Sequence, residues 1–139
     1  MRPEVGQIIA GKYRLTRLIG EGGMGSVFEA NHEYLGSAVA LKFLNPILAS
    51  RPALVARFLQ EARVSASIRS PHVVQVSDVD QTLEGLPYLV MELLEGESLQ
   101  TCMNRCRTLP LGTALEYAVQ ILNGLESAHG RGVVHWDLK

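Results

Sequence analysis

Cysteine is nearly absent from this sequence: Cys102 and Cys106 are the only two among 139 residues. They stand four apart in a segment of helical periodicity, so they build no disulfide framework. No second pair of ligands accompanies them to suggest zinc. They read as reduced thiols of a cytoplasmic protein. An excess of charge of one sign is also missing: 13 basic and 14 acidic residues leave a formal net charge of -1. That balance argues against nucleic acid or an anionic membrane surface as a broad electrostatic partner. The sequence has no apolar run of about 18 residues, so no membrane segment is expected. The opening Met1-Arg2-Pro3-Glu4-Val5-Gly6-Gln7 carries one arginine and no apolar stretch, unlike a signal peptide. Internal repeats and low-complexity tracts are lacking too. With 47% hydrophobic and 19% charged residues, the composition is that of one globular domain.

What the sequence does have is glycine in a pattern. Leu18-Ile19-Gly20-Glu21-Gly22-Gly23-Met24-Gly25-Ser26-Val27 spaces Gly20, Gly22 and Gly25 as G-x-G-x-x-G. Without a Cβ, such a loop can let another group approach its backbone, and its N–H groups can cradle phosphates. Alone, the pattern also fits a plain tight turn. The neighbours narrow it. Tyr13 to Ile19 alternates apolar and charged residues, which predicts a strand. Ser26-Val27-Phe28-Glu29-Ala30 resumes strand character rather than opening a helix. A Rossmann loop opens a helix, and a Walker A loop ends in Gly-Lys-Ser/Thr; neither is present. The glycines therefore form a flap between two strands.

After a turn at residues 34–37, Ala38-Val39-Ala40-Leu41-Lys42-Phe43-Leu44 reads as an apolar strand holding one charge. A buried ammonium needs a partner, unless the strand lies at a sheet edge and the lysine reaches solvent. Asn45-Pro46 reads as a break. Residues 51–69 predict a helix whose stripe is Leu54, Phe58, Ala62 and Ser65, with Glu61 one step aside and able to reach a cation on the neighbouring sheet. Residues 73–80 and 87–94 read as strands. Helices take over from there. Ser98 is a candidate N-cap for residues 98–107. Residues 113–129 repeat Leu115, Val119, Leu122, Leu125 and Ala128 at helical steps and end at Gly130-Arg131-Gly132. Residues 133–139 open another strand and loop.

Four features thus stand in order: the flap, Lys42 in Val-Ala-Leu-Lys, Glu61 within a helix, and His135-Trp136-Asp137-Leu138-Lys139. As an ordered set they resemble the bacterial members of the eukaryotic-like serine/threonine protein kinase family, across essentially the whole chain. The resemblance implies an α+β fold. Residues 1–94 would form the N-lobe and hinge, with an antiparallel five-stranded sheet and one long helix. Residues 95–139 would be the first helices of an incomplete helical C-lobe. It implies ATP as cofactor, Mg²⁺ beside it, and a protein substrate whose hydroxyl receives the γ-phosphate. The flap residues Gly20, Glu21, Gly22, Gly23, Met24, Gly25 and Ser26 would cover the phosphates. Ile19 and Val27 would roof the adenine, and Ala40 would leave room beside it. Lys42 would bind the α- and β-phosphates, and Glu61 would hold Lys42. Met91 would be the gatekeeper, with the backbone of Glu92 and Leu94 at the adenine edge and Ser98 near the ribose. Asp137 would accept the proton of the substrate hydroxyl, Lys139 would stabilise the transferring phosphate, and His135 would pack beneath the catalytic loop.

Two departures qualify the resemblance. Trp136 stands where the family has an arginine that pairs with a phosphorylated activation loop; an indole cannot make that pair. The 139 residues also contain neither the catalytic-loop asparagine nor Asp-Phe-Gly, the family's Mg²⁺ ligands, so no metal ligand is assigned. On that ground the chain is expected to be a truncated kinase, impaired in phosphotransfer. The alternative is a non-catalytic, pseudokinase-like module that binds nucleotide or a protein partner.

Overall fold

The computed structural model describes residues 2–133. Two compact units divide them: one reaches Ser67 and takes in Val74–Leu93, and the other holds Ile68–Val73 and the residues from Leu94 onward.

The first unit is a six-stranded sheet with two helices. Its strands are β1 (Ile8–Ile9), β2 (Tyr13–Gly22), β3 (Gly25–His32), β4 (Ala38–Leu44), β5 (Val76–Gln81) and β6 (Pro87–Glu92). All neighbours are antiparallel, in the order β1-β2-β3-β4-β6-β5. This is the α+β arrangement the resemblance implies, with the short β1 added to the five anticipated strands. Residues 1–10 read only as a lead-in, since two residues carry too little periodicity to reveal a strand.

Alternation along each strand separates two apolar clusters. Leu15, Phe28, Ala30, Leu41, Phe43, Tyr88 and Val90 form the larger one, together with Ile9, Tyr13 and Leu86. On the opposite side of β4 and β6, Leu44 and Leu89 join Val76 and receive Phe58 and Ala62 of helix α2 (Pro52–Ser67). Each large side chain so buried contributes about 1.5–3 kcal/mol. The Tyr88 hydroxyl is an exception within the larger cluster. It is buried and has no hydrogen-bond partner among the described residues, and burial, reinforced by the nearby Asp80 carboxylate, pushes its pKa well above the ordinary phenol value.

The break at Asn45-Pro46 is in fact the start of a short helix, α1 (Pro46–Ala49). Asn45 caps it through Oδ1, and Pro46 occupies a first-turn position where a missing N–H costs nothing. β5 begins at Val76, three residues after the expected strand start.

The second unit contains α3 (Leu99–Cys106) and α4 (Leu111–His129). Ser98 is the N-cap of α3, as its residue type predicts; its hydroxyl accepts the Thr101 N–H at 3.1 Å. Gly124 is the buried residue of α4. A Cβ there would stand 2.9 Å from the His72 carbonyl oxygen, so a glycine lets this helix lie against the 68–73 segment. Much of the apolar stripe read at helical spacing is uncovered: Leu115, Val119 and Leu122 are 58%, 56% and 62% exposed. The strand expected over residues 133–139 lies, past Val133, outside the described residues. No helix among the described residues is long and apolar enough to cross a membrane.

Candidate functional site

The glycine motif sits at the tip of the β2–β3 hairpin. Gly20 pairs with Val27, Glu21 with Ser26 and Gly22 with Gly25, leaving Gly23 and Met24 as the two tip residues. The three motif glycines differ. A Cβ on Gly20 or Gly22 would meet nothing within 4 Å. A Cβ on Gly25 would stand 1.9 Å from the Phe43 carbonyl oxygen, at a φ of +154°. The first two leave open backbone surface; the third lets β3 lie flush on β4. The pairing shifts between Leu18 and Gly20, so Ile19 is the extra residue between the Leu18–Phe28 and Gly20–Val27 pairs. Bulges of this kind re-aim a side chain beside a site. Met24 is 64% exposed, and Glu21 is within 3.6 Å of Arg2 in a surface ion pair.

Below the flap, register brings distant residues into rows. Val27 faces Lys42, Lys42 faces Leu89, and Ala40 faces Met91. By the two-residue period these five share one face of the sheet, the face that also receives α2 through Leu44 and Leu89. β4 lies between β3 and β6, so Lys42 is not on an edge strand. Its side chain is half-buried, and among the described residues no carboxylate lies within 4.0 Å of it.

Glu61 accordingly does not make the pair anticipated for it. Its carboxylate accepts a hydrogen bond from Arg57 Nε at 2.9 Å, one helical turn earlier, and stays 58% exposed. Ala62 and Phe58 take the buried side of α2, and Glu61 remains with the local cation. A pair four residues apart on one helix closes without any long-range ordering, which explains why it forms here.

Glu92 is tied down twice. Its N–H donates to the Gln75 carbonyl at 3.0 Å, and its Oε1 accepts the Gln75 N–H at 2.7 Å. Met91 is half-buried and packs against the α2 cluster. Leu94 and Ser98 belong to the second unit. Leu94 is 64% exposed, and the Ser98 hydroxyl, besides capping α3, shares a hydrogen bond with that of Thr101 at 2.9 Å. His135, Trp136, Asp137 and Lys139 lie outside the described residues. Among the described residues no three His, Cys, Asp or Glu side chains cluster as a metal site.

A glycine hairpin with open backbone, laid beside a row holding a lone lysine, can be placed among known proteins. The model of the protein kinase domain matches residues 13–139. The chain belongs to the protein kinase domain family. Its relatives among these kinases include "Probable serine/threonine-protein kinase pknA2" of Bifidobacterium longum, 45% identical over 98% of this chain and 18% of the relative. Serine/threonine-protein kinase PknA of Mycobacterium tuberculosis is 42% identical over the full chain and 33% of its own length. The chain thus spans between about a fifth and a third of these two kinases. Among solved structures, the PknI kinase domain of Mycobacterium tuberculosis superposes with a TM-score of 0.83 at 29% identity, covering the whole of this chain and 57% of that one.

Three partners of the candidate site residues escaped sequence reasoning. Arg57 pairs with Glu61, Gln75 anchors Glu92, and Asn45 bonds to the flap tip. Two carried a legible signal: Arg57 and Glu61 stand at the four-residue spacing of a helical ion pair, and Asn followed by Pro is a helix-start signature as well as a break.

Proposed function

We propose that the chain is the nucleotide-gripping portion of a serine/threonine protein kinase. Its ATP supplies the γ-phosphoryl group that passes to a protein hydroxyl. The observation that carries this reading is the cross-strand row Val27–Lys42–Leu89, with Ala40–Met91 beside it, next to a hairpin whose Gly20 and Gly22 leave the backbone open. Phosphates fit open backbone, since N–H groups can reach them only where no Cβ intervenes. Lys42 is the cation for the α- and β-phosphates, and its half-buried position among apolar neighbours strengthens attraction to an anion relative to bulk water. Val27, Ile19 and Ala40 provide apolar surface for the adenine, with Met91 behind it. The Glu92 N–H is already taken by Gln75, so the backbone contact it offers the purine is its carbonyl. Asp137 is the acceptor for the substrate hydroxyl proton, and Lys139 steadies the transferring phosphate. The described residues offer no carboxylate cage for Mg²⁺, and no step is assigned to a metal.

A second reading, nucleotide binding without transfer, is favoured by the Arg57–Glu61 pair, which leaves Lys42 without its helix partner. Two measurements separate the readings. ATP should raise the thermal midpoint of the parent chain and leave that of Lys42→Met unchanged; equal shifts in both would refute the assigned site. Transfer from radiolabelled ATP to a protein acceptor, lost in Lys42→Met, supports the kinase reading. A nucleotide-dependent thermal shift without transfer supports the second.

A further inference from the structure

Asn45 is not among the expected nucleotide contacts, yet it bonds to the flap tip and to α1 at once. Its backbone N–H donates to the Met24 carbonyl at 3.0 Å. Its Nδ2 donates to the Gly23 carbonyl at 3.4 Å. Its Oδ1 accepts the Ile47 N–H at 3.0 Å and caps α1. Gly23 and Met24 are the two hairpin-tip residues without a cross-strand partner, so these bonds are what fastens them. The neighbouring close approach of Gly25 to the Phe43 carbonyl brings the tip within reach of Asn45.

The side-chain bond has a directional consequence. In a trans peptide the C=O and the following N–H point in opposite directions. Holding the Gly23 carbonyl toward Asn45 therefore turns the Met24 N–H away from it and fixes that donor's orientation. A loop that binds phosphate through its backbone loses affinity when its donors must first be ordered. We infer that Asn45 is a positioning residue: it presets the Met24 N–H of the flap and ties the hairpin tip to α1. The effect on nucleotide rests on the function proposed above; the effect on the flap does not.

Two substitutions divide the side chain's roles. Asn45→Asp keeps an oxygen for the Ile47 N–H and removes the donor to Gly23. Asn45→Ala removes both. In Asn45→Asp the thermal midpoint should match the parent. The Met24 amide order parameter should fall from the rigid range near 0.85 toward about 0.6. Affinity for a fluorescent ATP analogue should weaken about two- to tenfold, the range for loss of one hydrogen bond. Asn45→Ala should show the same loosening plus a lower midpoint. An unchanged Met24 order parameter in Asn45→Asp overturns the inference, whatever the nucleotide does. A loosened flap with undiminished affinity overturns its link to nucleotide. A loosened flap in a protein whose parent binds no nucleotide upholds the fastening and overturns the function proposed above.

Discussion

Arg57 Nε and Glu61 Oε1 lie 2.9 Å apart across one turn of α2, and Lys42 has no carboxylate within 4.0 Å among the described residues. The pair is largely exposed, at 69% and 58% of the two side chains, so it adds little to stability. Under the proposed function its importance would be competition, because a carboxylate held by Arg57 is not available to a lysine on the sheet.

Arg57→Ala tests that competition. An exposed pair of this spacing is worth about 0.3–0.5 kcal/mol, so the unfolding free energy should change by no more than that. Glu61 is then released toward Lys42, and nucleotide affinity at low salt should rise about twofold, the equivalent of the same energy. Titration with a fluorescent ATP analogue measures it, and an unaltered affinity would show that Arg57 does not compete. Arg57→Ala combined with Glu61→Gln should lose the gain.

The motif glycines should separate by stability. Gly25→Ala places a methyl 1.9 Å from a backbone oxygen at positive φ, so β3 and β4 must part. Overpacking and backbone strain together predict a loss of roughly 2–5 kcal/mol. Gly20→Ala meets nothing within 4 Å and should stay within about 0.5 kcal/mol of the parent. Denaturant unfolding of the two variants checks the contrast; equal losses would contradict the packing described.

Phe58 joins α2 to the sheet. Phe58→Ala should cost about 3–5 kcal/mol, the usual range for a large aromatic removed from a core. Glu61→Gln, one turn along but exposed, should be near neutral. Thermal or urea unfolding distinguishes the two, and a small effect of Phe58→Ala would mean that α2 is not anchored there.

Tyr88 makes the sheet sensitive to alkali. Its folded pKa is raised, so its contribution is fully present below the unfolded value near 10 and declines as pH rises beyond it. Above that pH the unfolded chain loses the phenolic proton while the folded chain keeps it. The stability of the parent should therefore fall more steeply above pH 10 than that of Tyr88→Phe. At neutral pH, Tyr88→Phe also removes an unpartnered buried hydroxyl and should be neutral or stabilising by up to about 1 kcal/mol. Urea midpoints recorded from pH 7 to 11 provide the test.

The two thiols should differ in reactivity. Cys106 is exposed. Cys102 is half-buried, and burial, with Cys106 beside it, pushes its pKa upward. Thiolate is the reactive form, so iodoacetamide near neutral pH should label Cys106 first. Peptide mass mapping over time would reveal the order, and preferential labelling of Cys102 would contradict it.

Much of this was written along the chain. Alternation in residues 13–19 marked a strand because a half-buried strand repeats every two residues, and the apolar run at 38–44 marked another. The resumption of strand character at Ser26 made the glycine loop a flap, and Ser98 announced the cap of α3. Asn45-Pro46 shows where local reading fell short. The same two residues serve a break or a helix start; here Asn45 Oδ1 caps α1, while its bond to a flap 22 residues earlier has no local signal.

By itself, the sequence determined the types of the longer elements, the flap between strands, and the ordered set that marks a kinase. These follow from periodicity and turn chemistry, which act over a few residues. Tertiary structure alone decided that Val27 stands opposite Lys42 and that Gly25 lies on the Phe43 carbonyl. Register is chosen by packing between segments far apart in the chain, and it has no local signature. The Arg57–Glu61 pair is different in kind, since its four-residue spacing on one helix is already written in the sequence.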